Sequence, residues 1–590
     1  MAGKTFAEKI FGATRGSILF KKPDIVMSHD NSSSIYGTFK KMNGEKIKFP
    51  EQVFIVLDHN APPTNSKLAN DYQKIREIVK ENNITKFHDS GKGICHQLMS
   101  LYAKPEMIIV GSDSHTCTAG AFNAFAAGID RTETAGLWKK GETWFKVPES
   151  IKITLKGKFQ KNVYAKDLAL WIIGMIGSSG ADYMSIEYHG EGVGELSISD
   201  RMTLANLASE MGAKNAVFPN DKILKEFLKQ EYKGIWADDD AIYAKEVTIN
   251  LGEIVSVVSC PHHVDNVKSV AEVQGIVLHQ AVLGTCTNGR IEDLRIAAEI
   301  LKGKQIPYGL QLLIIPASQE IYRQAMNEGL IEIFLNVGAN ILSPSCGPCL
   351  GTGQGIPADN TNVISTANRN FLGRMGNKNA NIYLSSPATL AYSVLEGKIT
   401  SPMIDENYKY PYHAEQSKTL EVTLGDDRFV NNVWDYSDVD NLNTDQMFAG
   451  NLTYNVNSSE AEKIIPHLFK GFDDSFSDKA KEGDMIIAGE NFGCGSSREH
   501  PAVGLAHIGI KAVICKSVNR IFYRSSINQG LLIIVLPEVV DAYRRGANIN
   551  VDFSKGEIII DNKAYYFKSL PEKLLEVINQ KGLVNWMKNN

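Results

Sequence analysis

The feature that most constrains the fold of this chain is a repeated alternation of short apolar, β-branched runs with longer segments of helical periodicity. Segments such as 291–303 place apolar residues at helical spacing and end at a glycine. The alternation favours an α/β fold with parallel strands, in which functional residues collect where the strands end. Four of the runs predict buried strands that lead into polar or glycine-rich loops, and these are 51–59, 105–113, 275–284 and 310–318.

The length of the chain, 590 residues, allows about four domains of ordinary size. We expect a large unit over residues 1–400. Residues 401–425 are polar and contain proline, which predicts a linker. Residues 426–590 predict a smaller α/β domain, with a helix at 500–510 followed by a strand at 511–517.

Charge and hydropathy disfavour several kinds of partner. The net charge is −5 and no long run of Lys or Arg occurs, so nucleic acid is not expected to bind. The longest apolar stretch, 168–176, has about half the length that crosses a bilayer. The N-terminal residues lack the features of a secretory or organelle presequence, and we therefore expect a cytoplasmic protein.

Two of the eight cysteines, Cys346 and Cys349, lie three positions apart in SPSCGPCLG, a segment too rich in Pro and Gly for a helix. A third, Cys286, follows a predicted strand in VLGTCTNGRIEDL. Three thiolates leave a site one ligand short, which suits a [4Fe-4S] cluster with one iron open to substrate. The spacing alone equally allows Cys286 to be a buried small apolar residue, and a redox or zinc module remains the alternative.

Five motifs in register resemble the signatures of the aconitase family of iron–sulphur hydro-lyases, and they span roughly residues 5–575. They are GTCTNGRIED, SPSCGPCLGTGQG, STANRNFLGRMGN, GSDSHTCTAGAF and GENFGCGSSREHP. The compact first part and FGCGSSREHP are more similar to the isopropylmalate dehydratase and homoaconitase branch, here with its two subunits fused.

This resemblance implies a large unit of three α/β/α subdomains that carries the iron–sulphur site, and a smaller swivelling α/β domain. It implies one [4Fe-4S] cluster per chain, with Cys286, Cys346 and Cys349 as ligands, and no separate small subunit. The expected partner is a small hydroxy di- or tricarboxylate.

Dehydration of a hydroxy acid needs a strong base and help for the departing hydroxide. Ser496 follows a glycine-rich turn at a predicted helix start, where unpaired N–H groups favour an anion. An ordinary helix cap is the alternative. The resemblance makes Ser496 the base, and it assigns substrate contacts to Ser497 and Arg498.

Histidines and acidic residues follow several predicted strands, and their convergence would provide acid–base groups. By resemblance, His59 paired with Asp58 donates the proton to the departing hydroxyl. The same resemblance assigns further catalytic positions to His96, Asp113, His115, Glu187 and Asp445.

Arg369 and Arg374 lie five positions apart across a glycine-containing loop, where guanidinium groups grip carboxylates at two points. Two solvated surface arginines are the alternative. The resemblance makes both of them substrate-binding residues, together with Asn368 and Ser114.

Substrate choice in the resembled family depends largely on the loop 449–457, where tricarboxylate enzymes have an Arg. Here the loop contains no Arg or Lys, and Leu452 and Thr453 are uncharged. Burying a third carboxylate against them would cost on the order of several kcal/mol, which favours a substrate with an alkyl group. We therefore expect a 3-isopropylmalate dehydratase-like isomerase.

Other activities stay open at this point. A methylmalate or citramalate dehydratase fits almost as well, and an aconitase or homoaconitase fits if a positive charge reaches the pocket from elsewhere. The segment 29–39 departs from the Gln-bearing form of many relatives. An iron-responsive RNA-binding regulator is a hypothesis of another class, which the charge of −5 disfavours.

Overall fold

A computed structural model describes most of the chain and divides it into two compact units. The described residues are 3–402, 407–412, 428–449, 452, 456, 458, 460–495, 498–553 and 555–590. The first unit comprises Met1–Ser33, Phe49–Gly128 and Trp144–Gln416, and the second comprises Ser34–Lys48, Ile129–Thr143 and Ser417–Asn590. Within the predicted linker, 403–406 and 413–425 lie outside the described residues.

Three sheets form the framework of the first unit, and parallel pairing dominates in each. The first sheet has the order Lys86–His88, Val53–Val56, Ile25–Ser28, Ile108–Gly111 and Phe125–Gly128. The second has the order Asn215–Val217, Ser185–His189, Ser150–Lys156 and Lys245–Asn250. The third has the order Val267–Ser269, Val257–Ser259, Asn381–Leu384, Asn362–Ser365, Gln280–Leu283, Gln311–Ile314 and Asn340–Ile341.

Helices cover these sheets, so the α/β class predicted from the alternation is confirmed. The helix Ser66–Glu81 begins where the Asn65 side chain accepts the backbone N–H of Leu68 at 3.0 Å, satisfying one of the unpaired donors of the first turn. The other helices of the first unit are Phe6–Phe11, Cys95–Met99, Ala165–Ile176, Ile198–Leu207, Lys222–Leu228, Val270–Val273, Ile291–Leu301, Gln319–Asn327, Leu330–Val337 and Pro387–Glu396. The helix Ser32–Lys41 and the strand Thr143–Lys146, which pairs with Ile18–Lys21, run across unit boundaries.

The predicted strands are buried on both faces, apart from the exposed first residue of Gln311–Ile314. All four residues of Val53–Val56, and all four of Gln280–Leu283, are shielded from solvent. Parallel strands that are covered by helices on both sides have apolar residues at nearly every position. This explains why the sequence contains continuous apolar runs at these strands. The polar segments that follow these strands, where the backbone leaves the sheet, carry the candidate catalytic and ligand side chains.

The second unit is built on a five-stranded sheet that opens with an antiparallel pair and continues in parallel. Its order is Phe429–Val430, Val433–Tyr436, Met485–Ala488, Ala512–Cys515 and Ile533–Val535. An antiparallel meander follows, formed by Ile549–Asp552, Glu557–Ile560 and Lys563–Tyr566. The helices are Arg131–Lys140, Thr444–Met447, Ala461–Ile464, Phe476–Lys479, His500–Ile508, Arg520–Gln529, Pro537–Ala542, Glu572–Asn579 and Leu583–Asn589.

The segment Ile129–Thr143 belongs to the second unit because a buried polar cluster holds it there. Glu133 and Arg524 are 1% and 0% exposed and form an ion pair, in which Arg524 Nε lies 3.0 Å from Glu133 Oε2. Asn528 donates to Asp130 at 2.7 Å. This grouping departs from the predicted unit of 1–400, since an ion pair between residues so far apart leaves no local pattern in the sequence.

None of the helices in the described ranges is both long enough and apolar enough to cross a membrane.

We predict that Arg524→Met lowers the free energy of unfolding of the second unit by about 3–5 kcal/mol, because it leaves the Glu133 carboxylate buried without a counter-charge. The matched control is Lys573→Met. Lys573 pairs with Glu142 at 3.2 Å between the same two parts of the unit, but on its surface, so we expect a change of about 0–1 kcal/mol. Denaturant unfolding measures both, and equal losses would contradict the prediction.

Candidate active site

The loop after the strand Val53–Val56 is held by one carboxylate, that of Asp30. Asp30 accepts the backbone N–H groups of Asp58, His59 and Asn60 at 3.0, 3.2 and 2.8 Å. It also accepts the hydroxyl of Tyr72 at 2.7 Å. Three consecutive backbone donors on one carboxylate leave the loop little freedom, so the side chains that it carries are preorganised.

His59 is flanked by carboxylates at both ring nitrogens. Its Nδ1 lies 2.7 Å from Asp58 Oδ1, and its Nε2 lies 3.3 Å from Asp113 Oδ2. Burial opposes the imidazolium, but Asp58 and Asp113 outweigh it and hold the pKa of His59 well above its usual range. The ring of His29 stacks on that of His59, with centroids 3.8 Å apart.

Asp113 connects several histidines. It follows the strand Ile108–Gly111, and its Oδ1 lies 2.9 Å from His96 Nε2. The same oxygen caps the helical segment Ser114–Phe122 by accepting the backbone N–H of His115 at 2.7 Å. Burial opposes ionisation of Asp113. The charge of His96, and the hydrogen bonds that Asp113 accepts from the neighbouring histidines, nevertheless keep the pKa of Asp113 well below the usual value.

His115 belongs to a second charged chain. Its Nε2 lies 2.7 Å from Glu210 Oε1, which also accepts Arg369 Nε at 2.9 Å. Burial raises the pKa of Glu210, but Arg369 and His115 outweigh it and bring that pKa to about 2. Arg369 also donates from Nη2 to Ser114 Oγ at 3.1 Å.

The three predicted cysteine ligands follow strand ends of the third sheet. Cys286 comes after Gln280–Leu283. After Asn340–Ile341, Cys346 directly precedes the short helical turn Gly347–Leu350, and Cys349 lies within that turn. Thr285 adopts a left-handed backbone with φ of 68°, a strained conformation for a β-branched residue that sets the direction of Cys286.

The structure brings these three thiols together. Burial, followed by the proximity of Cys349 and Asp113, raises the pKa of Cys286 to about 12. Burial and the neighbouring carboxylate and thiols likewise raise the pKa of Cys346. Such thiols ionise only when a cation compensates them, which is what a metal centre provides.

Several polar hydrogens point at the sulphur atoms. Asn368 Nδ2 donates to Cys286 Sγ at 3.0 Å, and Asn206 Nδ2 does so at 3.6 Å. Arg374 Nη2 lies 3.4 Å from Cys349 Sγ. N–H groups aimed at sulphur are the outer contacts expected of thiolates that bind a metal or an iron–sulphur cluster.

The thiols and the histidines form one site. Ligand atoms of His96, His115 and Cys286 all lie within 4.8 Å of one another. The backbone N–H of Cys346 donates to the carbonyl of Asp58 at 3.1 Å, which joins the cysteine loop to the loop of His59.

A pair of glycines lets the cysteine loop meet the arginine loop. Gly351 has φ of 73°, and a Cβ on it would lie 2.5 Å from the backbone nitrogen of Gly376. A Cβ on Gly376, with φ of 91°, would lie 2.8 Å from the carbonyl oxygen of Gly351. Only glycine allows this backbone contact, which sets the distance between Cys349 and Arg374.

The donor set fits the [4Fe-4S] cluster that the sequence predicts. Three thiolates are soft ligands of the kind that hold iron–sulphur clusters, and acid–base side chains adjoin them. A small recess of about 20 Å³ adjoins the cysteine loop, and its lining includes His59 together with Ser345 and Gly347, the residues on either side of Cys346.

Among the predicted site residues that the structure describes in the first unit, Glu187 is the one whose contacts differ from the sequence prediction. It lies on the strand Ser185–His189 of the second sheet, where its carboxylate accepts the backbone N–H of Phe6 and the hydroxyl of Tyr243, both at 2.9 Å. It anchors the N-terminal segment, and none of its hydrogen bonds reaches the thiols. The carboxylate that adjoins His115 and Arg369 is Glu210 instead.

Sequence reasoning missed Glu210 and Asn206, as well as His29 and Asp30. Asn206 and Glu210 are polar residues four positions apart within the apolar run LANLASEMGA; Asn206 lies in the helix Ile198–Leu207, and Glu210 lies in the 3-10 turn Ala208–Met211 that follows it directly. A polar pair at that spacing inside a buried segment was the available signal. Asp30 had only its position at a strand end to indicate its role.

The second unit carries the remaining predicted residues. Arg498 donates to Asp445 Oδ1 at 2.8 Å and to the carbonyl of Phe448 at 2.9 Å. Leu452 is partly buried and packs against the core of this unit. Ser496, Ser497 and Thr453 lie outside the described residues.

Comparisons with known proteins agree with this geometry. The aconitase family (aconitate hydratase) model matches residues 4–397, and the aconitase C-terminal domain model matches 408–539. A probable methanogen homoaconitase large subunit from Methanosarcina mazei is 46% identical over 64% of this chain and 98% of its own length. A 3-isopropylmalate dehydratase large subunit from Methanopyrus kandleri is 42% identical over 68% of this chain and 99% of its own. A 3-isopropylmalate dehydratase large subunit from Clostridium kluyveri is 44% identical over 66% of this chain and 94% of its own length.

We predict that Glu210→Gln destabilises the metal-free first unit at pH 7 by about 3 kcal/mol, because Arg369 loses its buried counter-charge. The pKa of Glu210 is lowered from 4.5 to about 2, so this stabilisation is complete above pH 4.5 and is lost as the pH falls towards 2. The difference between the native protein and the variant should therefore narrow below pH 4.5.

Denaturant unfolding at a series of pH values measures this difference. The control is Glu328→Gln, which removes an exposed ion pair with Arg295 and should cause little change at any pH. A difference between native protein and Glu210→Gln that stays constant from pH 7 to pH 3 would count against the assigned ion pair.

Proposed function

The chain belongs to the aconitase family of iron–sulphur hydro-lyases, and we propose that it interconverts a 2-hydroxy and a 3-hydroxy diacid through an alkene, as a 3-isopropylmalate dehydratase-type isomerase. Membership confirms the resemblance inferred from the five motifs, and it confirms the [4Fe-4S] cofactor. The observation that carries the proposal is the convergence of a cysteine ligand with two histidines and their carboxylates in one site.

We propose that Cys286, Cys346 and Cys349 hold the cluster. The raised pKa values of Cys286 and Cys346 mean that these two thiols need a cation to exist as thiolates. Asn368 already directs a polar hydrogen at the sulphur of Cys286, and Arg374 directs one at the sulphur of Cys349. When bound, the cluster supplies a Lewis-acidic iron that polarises the hydroxyl group of the substrate. Protein side chains perform the proton transfers.

His59 is proposed as the proton donor to the departing hydroxyl. Its raised pKa keeps the ring protonated at neutral pH, and Asp58 and Asp113 stabilise that charge. The ring also lines the small recess formed with Ser345 and Gly347, so the donor adjoins the loop that carries Cys346. Asp113 aligns His96 in the same network.

Arg374 and Arg369 are proposed to bind substrate carboxylates. The Nε of Arg374 is buried and has no hydrogen-bond partner among the described residues, so it is a donor ready for an anion. Arg369 is paired with Glu210 and bonded to Ser114, which restrains its guanidinium plane. The two forks would orient a dicarboxylate.

Ser496 is proposed as the base that removes the carbon-bound proton, with Ser497 and Arg498 contacting substrate. The support is the sequence GCGSSREHP and the neighbouring contacts of the second unit. Arg498 is held by Asp445, and the Glu499 carboxylate accepts the backbone N–H of Thr132 at 2.7 Å. These contacts anchor the chain directly after the two serines.

Both substrate classes occur in the names of similar proteins, so the names do not separate them. A diacid with an alkyl group is favoured because the loop 449–457 contains no cation. A homoaconitase acting on a tricarboxylate is the second candidate, favoured by the 46% identical relative. Methylmalate and citramalate are also diacids with an alkyl group, so dehydratases of these acids fit the favoured substrate class.

We also propose that the second unit takes the place of a separate small subunit. The relatives are named large subunits, and they align with 64% to 68% of this chain. The aconitase family model ends at residue 397, and the C-terminal domain model matches 408–539 beyond it. The cytoplasmic location expected from the sequence stays a prediction.

The substrate assignment predicts the outcome of a panel assay. After anaerobic reconstitution of the cluster, alkene absorbance should report turnover of isopropylmalate, or of citramalate, with a kcat/KM well above that for homocitrate or citrate. Thr453→Arg should raise the tricarboxylate-to-diacid ratio of kcat/KM by about tenfold or more, because a cation in the loop meets the third carboxylate.

The matched control for this panel is Thr453→Gln, which adds bulk without charge. Preference of the native protein for a tricarboxylate would favour the homoaconitase candidate. No turnover of any acid, together with tight RNA binding by the metal-free protein, would instead favour the regulator.

The ligand assignment predicts that Cys286→Ser loses bound iron and at least about 100-fold in activity, since even outer contacts of a metal site contribute about 10–100-fold. Cys260→Ser is the control, because Cys260 is a buried free cysteine of the hydrophobic core. Iron and sulphide analysis of anaerobically purified protein checks both. Full cluster content in Cys286→Ser would exclude this residue as a ligand.

A further inference from the structure

Lys166 is a buried cation that the proposed mechanism does not use. It lies in the first turn of the helix Ala165–Ile176 and is 1% exposed. Its ammonium donates to the carbonyl oxygens of Thr366 and Ala367, at 2.8 and 2.7 Å. Within the described part of the chain it forms no ion pair with a carboxylate.

The nearest acidic residue in sequence does not compensate this charge. Asp167 accepts the backbone N–H groups of Tyr164 and Val257, at 3.1 and 3.3 Å. Burial raises the pKa of Asp167 to about 7, so the carboxyl is a weak counter-charge. Burying an ammonium without a counter-charge costs several kcal/mol of folding free energy, about as much as removing one partner from a buried ion pair. Another anion must therefore offset the charge of Lys166.

The thiols of the candidate active site become anions of the required kind when they bind the cluster. Among the groups that stabilise the Lys166 ammonium, Cys286 ranks first, ahead of Asp293 and Cys349. These interactions oppose burial, which lowers the pKa of Lys166 to about 7 in the absence of a cluster. Three thiolates outnumber the positive charges of an oxidised [4Fe-4S] core, so the bound cluster is negatively charged as a whole.

The two carbonyls that Lys166 holds lie next to active-site residues. The strand Asn362–Ser365 ends just before them, and Asn368 and Arg369 come just after. Asn368 donates to Cys286 Sγ at 3.0 Å and lies 2.9 Å from His115 Nε2. Fixing two consecutive carbonyls therefore fixes the position of the amide that touches a cluster ligand.

We propose that Lys166 is a positioning residue that holds the backbone of Asn368 and Arg369 in place and supplies the buried positive charge that balances the thiolate-bound cluster. This inference rests on the proposed function, since it requires the cluster. Removing the charge disfavours the more negative, reduced state, so the reduction potential of the cluster should become more negative. Loss of the cluster to a chelator should also become faster, by about tenfold or more.

The test compares four variants of the full chain after anaerobic reconstitution. Lys166→Met removes both the charge and the donors, Lys166→Gln keeps an uncharged donor, and Lys166→Arg keeps the charge. Lys214→Met is the matched control, because Lys214 is also 1% exposed and donates to a backbone carbonyl, that of Gly128 at 3.2 Å. A redox titration followed by electron paramagnetic resonance gives the potential without relying on turnover.

The proposal expects a more negative potential in Lys166→Met and Lys166→Gln, and a native potential in Lys166→Arg and Lys214→Met. If Lys166→Met fails to fold, Lys166→Gln decides the question. A native potential and a native rate of cluster loss in a folded, uncharged variant would overturn the charge role. An equal shift in Lys214→Met would show a general effect of destabilisation and would overturn it as well.

The same measurement separates this inference from the proposed function. If the native protein takes up no cluster and shows no signal, the proposed function fails. If the native protein carries the cluster and the Lys166 variants keep its potential, only the role of Lys166 fails.

Discussion

The carboxylate of Asp113 is the group on which the arrangement of the first unit's site depends. It meets His96 at 2.9 Å and His59 at 3.3 Å, and it caps the segment that carries His115. One largely buried anion thereby fixes three imidazoles that come from a loop, from the helix Cys95–Met99 and from the helical segment Ser114–Phe122. Because the histidines in turn stabilise the charge of Asp113, neither side of the network is stable in its present form without the other.

Charge balance explains why so many ionisable groups are tolerated in a buried site. Asp58 and Asp113 enclose His59, and Glu210 joins His115 to Arg369, so each anion faces a cation. The thiols of Cys286 and Cys346 are the exception, because burial alone would keep them neutral. They need the charge of a metal centre, and they are the point at which binding of the cofactor and ionisation of the protein become coupled.

Local sequence patterns predicted much of this site. Cys346 and Cys349 share one turn, and Asp58 and His59 directly follow a continuous apolar run, so each pair is visible within a few residues. Glu187 and Glu210 show where such patterns stop. Both are buried acids near strands or helices, and only the three-dimensional partners, Tyr243 for one and Arg369 for the other, separate an anchor from a site residue. Nothing local to either glutamate indicates which arginine or tyrosine it will meet.

The sequence by itself determined the α/β class, the strand ends that carry polar side chains, and the family, because these depend on periodicity and on short motifs. Tertiary structure decided that Glu210 rather than Glu187 adjoins His115, that Ile129–Thr143 belongs with the second unit, and that Lys166 lies beneath the loop of Asn368. The physical reason is that buried charges are stabilised by partners distant in the chain, and such pairs exist only once the fold has brought them together.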